Sequence, residues 1–514
     1  MARSRYLEAI ERVYLNRPHA VAYRCENGAQ ITYCELWEAS DAIAATLAER
    51  LPPSRGPIVV FGRKSPLMPQ CFLACLKAGC AYVPLDTSTP LDRLCSIMTQ
   101  LDHPLVLAVD EMPDEAAACS TALLSASYLA EISAQKVSPS GFLEGVEGED
   151  LEYLIFTSGS TGEPKGVQIT ASCVDNFMDW AIDVLGVRNE PKVIVNQAHF
   201  CFDLSVYELT SAFSTGSTIF ALEAAAEVDM AQMFSALNAS GAQIWVSTPS
   251  FADVCLSDPS FSAALMPQME AFIFCGEPLR PATAANLHKR FPAARITNSY
   301  GPTESTVAVT AIDVSEELLV TPECLPVGYA RPGTVISIVD HETRAVLVPG
   351  QVGEIVITGD TVALGYLGLP ERTAQSFATQ HLATGKTVRS YYTGDKGYLD
   401  GRGLLYCQGR FDNQIKLNGF RIELGEIEVR LAALPYMKNA VVIAAQRRGR
   451  NTHLVAYVAL SEYVAENDFE IAQIIRNDLA RRLPAYMLPK KVRVIDDFPL
   501  TDNGKIDRKA LCLR

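Results

Sequence analysis

The chain has 514 residues, 48% hydrophobic and 20% charged, with a formal net charge of −15. That length accommodates a large composite body plus a small one, or three domains, and the composition is ordinary for a globular protein. The acidic balance argues against nucleic-acid binding, which needs a basic footprint, and no run of about 18 apolar residues offers a membrane span.

The N-terminus carries Glu8 and Glu11 where an export signal would be apolar, and reads as the first turns of an amphipathic helix. The 14 cysteines fall mostly in apolar segments, such as Cys71, Cys75 and Cys80, and none forms a CxxC pair. Reduced thiols used as small core residues are expected, not zinc ligands, and the cytoplasm is the expected address.

In chain order, residues 57–61 read as a buried strand. Ser65-Pro66 then opens a helix, Ser as the cap and Pro at the first helical position. Leu67, Cys71, Phe72, Cys75 and Leu76 share one helical face, and Gly79 stops it. The apolar run Leu154-Ile155-Phe156 leads into Thr157-Ser158-Gly159-Ser160-Thr161-Gly162, with Lys165 close behind. A strand that gives way to small hydroxylated residues can expose backbone N–H groups and hydroxyls to an anion, so a phosphate-gripping loop is expected. It is not the common P-loop, because Gly166 follows the lysine and Pro164 breaks the register.

Further strands are expected at 193–196, 243–247, 271–274 and 354–358. The alternation of strands with helical patterns predicts α/β layers with largely parallel sheets. Composition shifts near residue 410, where Gly409-Arg410-Phe411-Asp412-Asn413-Gln414 is polar. A large α/β domain over 1–410 and a small mobile α+β domain over 411–514 are expected, the latter with strands near 439–445 and 453–459 and a helix near 469–482.

Six segments occur in one order: 157–166; Asn298-Ser299-Tyr300-Gly301-Pro302-Thr303-Glu304; Tyr392-Thr393-Gly394-Asp395; Gly409-Arg410-Phe411-Asp412; 419–428; and Pro499-Leu500-Thr501-Asp502-Asn503-Gly504-Lys505. Together they resemble the adenylate-forming superfamily of acyl-CoA synthetases, luciferases and amino-acid adenylation domains. The resemblance implies two steps: a carboxylate attacks the α-phosphate of ATP, and a thiol then takes the acyl group from the adenylate.

It also implies roles. Thr157 and Ser158 would touch the phosphates, with Lys165 supporting their loop. Asn298, Ser299, Tyr300, Gly301, Pro302 and Thr303 would line the nucleotide site, and Glu304 would hold Mg2+, a hard cation that prefers carboxylate oxygen. Asp395 would accept the ribose hydroxyls, with Arg410 beside ribose or phosphate. Lys505, in a turn-rich segment, would reach into the large domain and bridge substrate carboxylate and phosphate. Asp412 matches the hinge about which the small domain would turn, withdrawing Lys505 and bringing 419–428 to the thiol tunnel.

Phe202-Asp203-Leu204-Ser205 bears on the substrate. A partly buried carboxylate wants a cation, and in amino-acid-activating relatives the acid at this place pairs with the substrate ammonium. Tyr207, Ser247, Cys275, Ser299, Val307 and Ala308 carry over as uncharged pocket positions, so a small or moderate neutral side chain is expected. The surroundings of Trp245, Cys275 and Val307 look most like D-alanine–D-alanyl carrier protein ligases, which load D-alanine onto a phosphopantetheine thiol for cell-envelope (lipoteichoic acid) D-alanylation. In that family a cysteine at the place of Cys275 crowds out the L enantiomer.

Tyr207, Ser247 and His199 depart from the family pattern, His199 standing where proline is usual. A stand-alone peptide-synthetase-type enzyme for another small neutral amino acid is the alternative; a CoA synthetase and a non-catalytic nucleotide binder rank below it. No carrier-domain serine motif follows the small domain, so a separate carrier protein is the expected partner, with Arg447, Arg448, Arg450, Lys490, Lys491 and Arg493 as candidate docking cations.

Overall fold

The computed structural model of the chain describes residues 3–51, 55–135, 145–159, 162–222, 229–320, 324–381, 387–447, 450–462, 464, 465, 467–496, 498, 499, 506 and 508–512. The large body contains two largely parallel sheets. The first runs Ala122–Leu124, Leu105–Ala108, Ile58–Phe61, Tyr82–Leu85, Leu151–Thr157, Lys165–Thr170, parallel except for its last strand. The second has nine strands, with six parallel ones at its centre from Arg295–Tyr300 across to Val21–Cys25 and antiparallel strands at both edges. Central strands such as Ile58–Phe61 and Ala271–Phe274 are buried along their whole length. Continuous apolar runs are what a parallel strand covered on both faces requires.

The expected strands at 193–196 and 271–274 coincide with the observed ones, and 243–247 begins one residue later, at Ile244. The helix Leu67–Lys77 lies where its apolar face predicts, but Ser65 does not cap it. Pro66 occupies the cap, and Ser65 contributes only its backbone carbonyl, to the Met68 N–H.

The next sheet along the chain is wholly antiparallel. Thr334–Val339, Gly353–Gly359, Phe377–His381, Thr387–Leu399 and Leu405–Arg410 form an antiparallel five-stranded sheet. A parallel crossover needs a dozen or more residues, usually a helix. Two of the links here are short turns, one around Asp340 and one closed by Asp400, while Gly359 and Phe377 are joined by a longer segment that includes the helix Pro370–Ser376.

Beyond it the smaller C-terminal body has its own apolar cluster, including Ile422, Ile427, Leu431, Val442, Ala456, Ile475 and Leu479. Helices Leu424–Ala432 and Asp468–Ala480 accompany a sheet of Met437–Arg447, Arg450–Leu460 and Lys491–Val494. The strands are longer than the sequence pattern suggests because the hairpin pairs from Met437 to Arg447, with register shifts at Met437/Asn439 and Ala445/Gln446.

Gln414–Leu417 and Phe420–Glu423 form a second hairpin whose two turn residues, Asn418 and Gly419, have φ of 52° and 87°. Positive φ at both positions gives the tight turn whose twist matches its strands, and Asn-Gly is the pair that tolerates it. Its tip docks on the large body. A Cβ on Gly419 would lie 2.9 Å from the Thr248 side chain, and the Gly419 N–H donates to Glu277 Oε1 at 2.7 Å.

Candidate active site

The parallel strands deliver their following loops to one cavity. Thr157 and Ser158 end the strand Leu151–Thr157; His199, Phe202 and Asp203 follow Val193–Asn196; Thr248, Gly276 and Gly301 follow the next three strands of the large sheet. Ligand crevices form outside the carboxyl ends of strands in open α/β sheets. Asp395 and Arg410 join from the antiparallel sheet, and the hairpin tip with Phe420 and Arg421 closes the opening.

At the loop after Leu151–Thr157, Thr157 Oγ1 is buried and has no hydrogen-bond partner among the described residues, as a hydroxyl waiting for a ligand acceptor would be. Ser158 Oγ donates to the Arg421 carbonyl at 2.9 Å. Lys165 is not on the loop tip. It opens the strand Lys165–Thr170 in register with Thr157 and is 4% exposed, behind the cavity wall. Burial lowers its pKa to about 8, opposed by Glu304.

Glu304 is fully buried. Arg421 Nη1 donates to Oε2 at 2.7 Å, the Tyr366 hydroxyl to Oε1 at 2.8 Å, and Lys165 Nζ stands 3.4 Å from Oε1. Burial alone would raise this carboxyl, but Arg421 and Lys165 hold it well below the usual carboxylate range.

A second cluster surrounds Asp395. The Tyr300 hydroxyl donates to Oδ2 at 2.6 Å, and Arg410 Nη1 to Oδ1 at 2.7 Å. Arg410 also clasps Asp412 through Nε and Nη2, both at 2.6 Å. One guanidinium thus ties the expected ribose acceptor to the expected hinge residue. Each Asp395 oxygen retains a further lone pair for a ribose hydroxyl.

Asp203 lies at the start of the helix Leu204–Thr215 but makes no cap hydrogen bond. It is partly buried, lines the cavity, and forms no ion pair among the described residues. Burial raises its pKa from 3.8 to about 6, although the Thr303 hydroxyl, Arg421 and Lys416 favour the charged form. Among the described residues it is therefore an acid without an ion-pair partner.

The other expected site residues do not all reach the cavity surface. Gly301, Pro302 and Thr303 line it. Asn298 donates to the Pro326 carbonyl at 2.7 Å and Ser299 to the Phe274 carbonyl at 2.8 Å. Cys275 is buried, with Sγ 3.7 Å from the Val307 carbonyl oxygen, and Tyr207 packs edge-on against Phe177 at 5.1 Å. Ser247 accepts from Trp245 Nε1 at 2.7 Å. Lys505 and Arg448 lie outside the described residues.

Sequence reasoning missed three features. Arg421 stands inside a quoted segment, yet only the docked hairpin brings it to Glu304, 117 residues away. Phe420 stacks on Tyr486 at 3.9 Å and meets Phe202 edge-on at 5.3 Å, an aromatic wall built from both bodies. His199, given no role on sequence grounds, lines the cavity with Nδ1 2.9 Å from Asp86 Oδ2.

Residues 10–367 match the AMP-binding enzyme family, and residues 426–505 match the AMP-binding enzyme C-terminal domain. The chain is 40% identical over 510 residues to a D-alanine–D-alanyl carrier protein ligase of Bacillus anthracis, covering 98% of each chain. A protein of the same name from Bacillus thuringiensis strain Al Hakam is also 40% identical, over 511 residues and 98% of each. Among solved structures, an NRPS protein containing adenylation and PCP domains, bound to a vinylsulfonamide inhibitor, superposes with a TM-score of 0.83 at 24% identity, over 98% of this chain and 83% of that one. The o-succinylbenzoate CoA synthetase of Bacillus subtilis gives 0.82 at 20% identity, over 98% of each. At these identities the two structures speak for the fold alone.

Proposed function

The chain belongs to the AMP-binding enzyme family, and from that premise we propose that it activates D-alanine with ATP and transfers the aminoacyl group to the phosphopantetheine thiol of a carrier protein. The observation that carries this reading is Asp203, a cavity acid that forms no ion pair among the described residues. A substrate ammonium is the partner such a carboxylate lacks. The full-length likeness to D-alanine–D-alanyl carrier protein ligases supports the choice of amino acid.

The residues divide the work as follows. Asp203 holds the ammonium, and Thr157 with its unpartnered hydroxyl meets the phosphates. Asp395 takes the ribose, with Arg410 setting its orientation. Lys505 is proposed to bridge the substrate carboxylate and α-phosphate in the first step. Asp412 is proposed as the hinge of a small domain over 411–514. The docked hairpin, with Gly419 against Thr248 and Arg421 on Glu304, is read as the arrangement of the second step, with the mobile body turned toward the thiol.

Mg2+ is assigned to Glu304 in the first step. No group of three metal-ligating side chains occurs among the described residues, so the ion would take its other ligands from substrate phosphates and water, as Mg2+ commonly does. With Arg421, Tyr366 and Lys165 on the carboxylate, the docked arrangement leaves it little capacity for a metal. Metal at Glu304 and the docked hairpin are thus alternatives. When bound, the ion neutralises phosphate charge.

No helix among the described residues is long and apolar enough to cross a membrane. A cytoplasmic location and a role in cell-envelope teichoic acid D-alanylation are part of the proposal. The test is amino-acid-dependent ATP–pyrophosphate exchange with D- and L-alanine, glycine and serine. D-alanine is expected to give the highest kcat/KM; a preference for another acid would reassign the substrate.

A further inference from the structure

Asp86 follows the strand Tyr82–Leu85, and the loop around it is rigidly made. Its Oδ1 accepts from both the Ser88 N–H at 2.9 Å and the Ser88 hydroxyl at 2.6 Å. That leaves Oδ2 aimed at His199 Nδ1, 2.9 Å away. Burial would raise the Asp86 carboxyl, but the hydrogen bonds from His199 and Ser88 keep it below its ordinary value. An ionised carboxylate only accepts, so Nδ1 carries the proton and a neutral His199 presents its lone pair on Nε2. Among the described residues no hydrogen bond involves Nε2.

The imidazole lines the same cavity as Asp203 and the hairpin tip, and meets Phe202 edge-on at 6.3 Å. Phe202 in turn contacts Phe420 and Tyr486, so the dyad borders the wall that forms only when the small body docks. A carboxylate that fixes the tautomer of a cavity-lining histidine, whose other nitrogen makes no hydrogen bond among the described residues, is the arrangement of a general base.

We propose that His199, positioned by Asp86, accepts the proton of the attacking thiol in the transfer step. This rests on the function proposed above. The sulfur lone pair attacks the carbonyl carbon of the aminoacyl-adenylate as the S–H proton passes to Nε2. The C–O bond to the phosphate breaks, AMP leaves with that electron pair, and the imidazolium then releases its proton to solvent. Thioester, AMP and one proton are the products, and no other reactant is needed.

Lys64, held by three backbone carbonyls, senses Asp86 and Glu208; Cys201 senses Asp86, Arg93 and Lys64; Tyr486 senses Arg93, Cys201 and Glu426. Burial raises both the Cys201 thiol and the Tyr486 hydroxyl far above neutrality, so neither competes as the base.

The test forms the adenylate first with ATP and D-alanine, quantified as a pyrophosphate burst, and then adds pantetheine in a single turnover across pH 6–9. In His199→Ala the transfer rate constant should fall about 10²-fold or more at pH 7. It should then climb with pH as solution thiolate replaces the lost base, and recover with the more acidic trifluoroethanethiol. Asp86→Asn, which keeps the imidazole but not the carboxylate, should slow transfer and shift its pH profile. A full burst with an unchanged rate and profile in His199→Ala would overturn the proposal alone. No burst in the wild-type enzyme with any small amino acid would overturn the functional reading and this inference with it.

Discussion

The Arg421 guanidinium lies 2.7 Å from Oε2 of Glu304, a fully buried carboxylate of the large body reached by a cation of the small one. Removing one partner of a buried pair leaves an uncompensated charge, at a cost of about 3–5 kcal/mol. Lys165 and Tyr366 remain on Glu304 and lessen that cost. Arg421→Ala should therefore lower the single-turnover transfer rate at least tenfold and lower adenylation less, read from pyrophosphate exchange on the same preparation.

A second buried pair crosses the two bodies. Arg93 Nη1 donates to Glu426 Oε1 at 2.8 Å, with both side chains under 10% exposed. Glu426→Ala should release the small body more often. Limited proteolysis at the exposed Phe411–Asn413 link should then speed up several-fold, whereas Glu163→Ala, which removes an exposed partner of Arg430 and of the Ser96 hydroxyl, should change it little.

Asp203 supplies a pH dependence with a definite sign. Its carboxyl is raised from 3.8 to about 6 in the folded protein, so between those values the folded state binds the extra proton. Stability from this group is present below pH 3.8 and is lost as pH rises toward 6. A substrate ammonium needs the ionised form, so the amino acid's KM should climb as pH falls below about 6, and Asp203→Asn should abolish that pH dependence of KM.

Cys275 is buried with its thiol toward the Val307 carbonyl. If its bulk sets the handedness of the pocket, Cys275→Ala narrows the D over L ratio of kcat/KM for alanine. An unchanged ratio would make the thiol mere packing.

Much of this was legible beforehand. The strands at 193–196 and 271–274 are continuous apolar runs, and their following loops carry the site, so the placement of Asp203 and Gly301–Thr303 follows from periodicity and motif order. The antiparallel sheet after Thr334 was not, because an apolar run in isolation does not say which neighbour it pairs with. The Glu304–Arg421 and Asp86–His199 contacts span 117 and 113 residues. Contacts that distant depend on domain docking and sheet order, which local pattern does not encode. Lys165 was legible as a cation near the loop but not as one facing Glu304, because strand register decides its side.

The most direct measurement compares D-alanine with propionate, its analogue without the amine, in pyrophosphate exchange by the wild-type enzyme and Asp203→Ala. The account predicts that the wild type prefers D-alanine by several hundred-fold or more, from about 3–5 kcal/mol for the ammonium–carboxylate pair, and that the substitution collapses the preference. Equal activation of the two acids by the wild-type enzyme, or a preference that survives in Asp203→Ala, would contradict it.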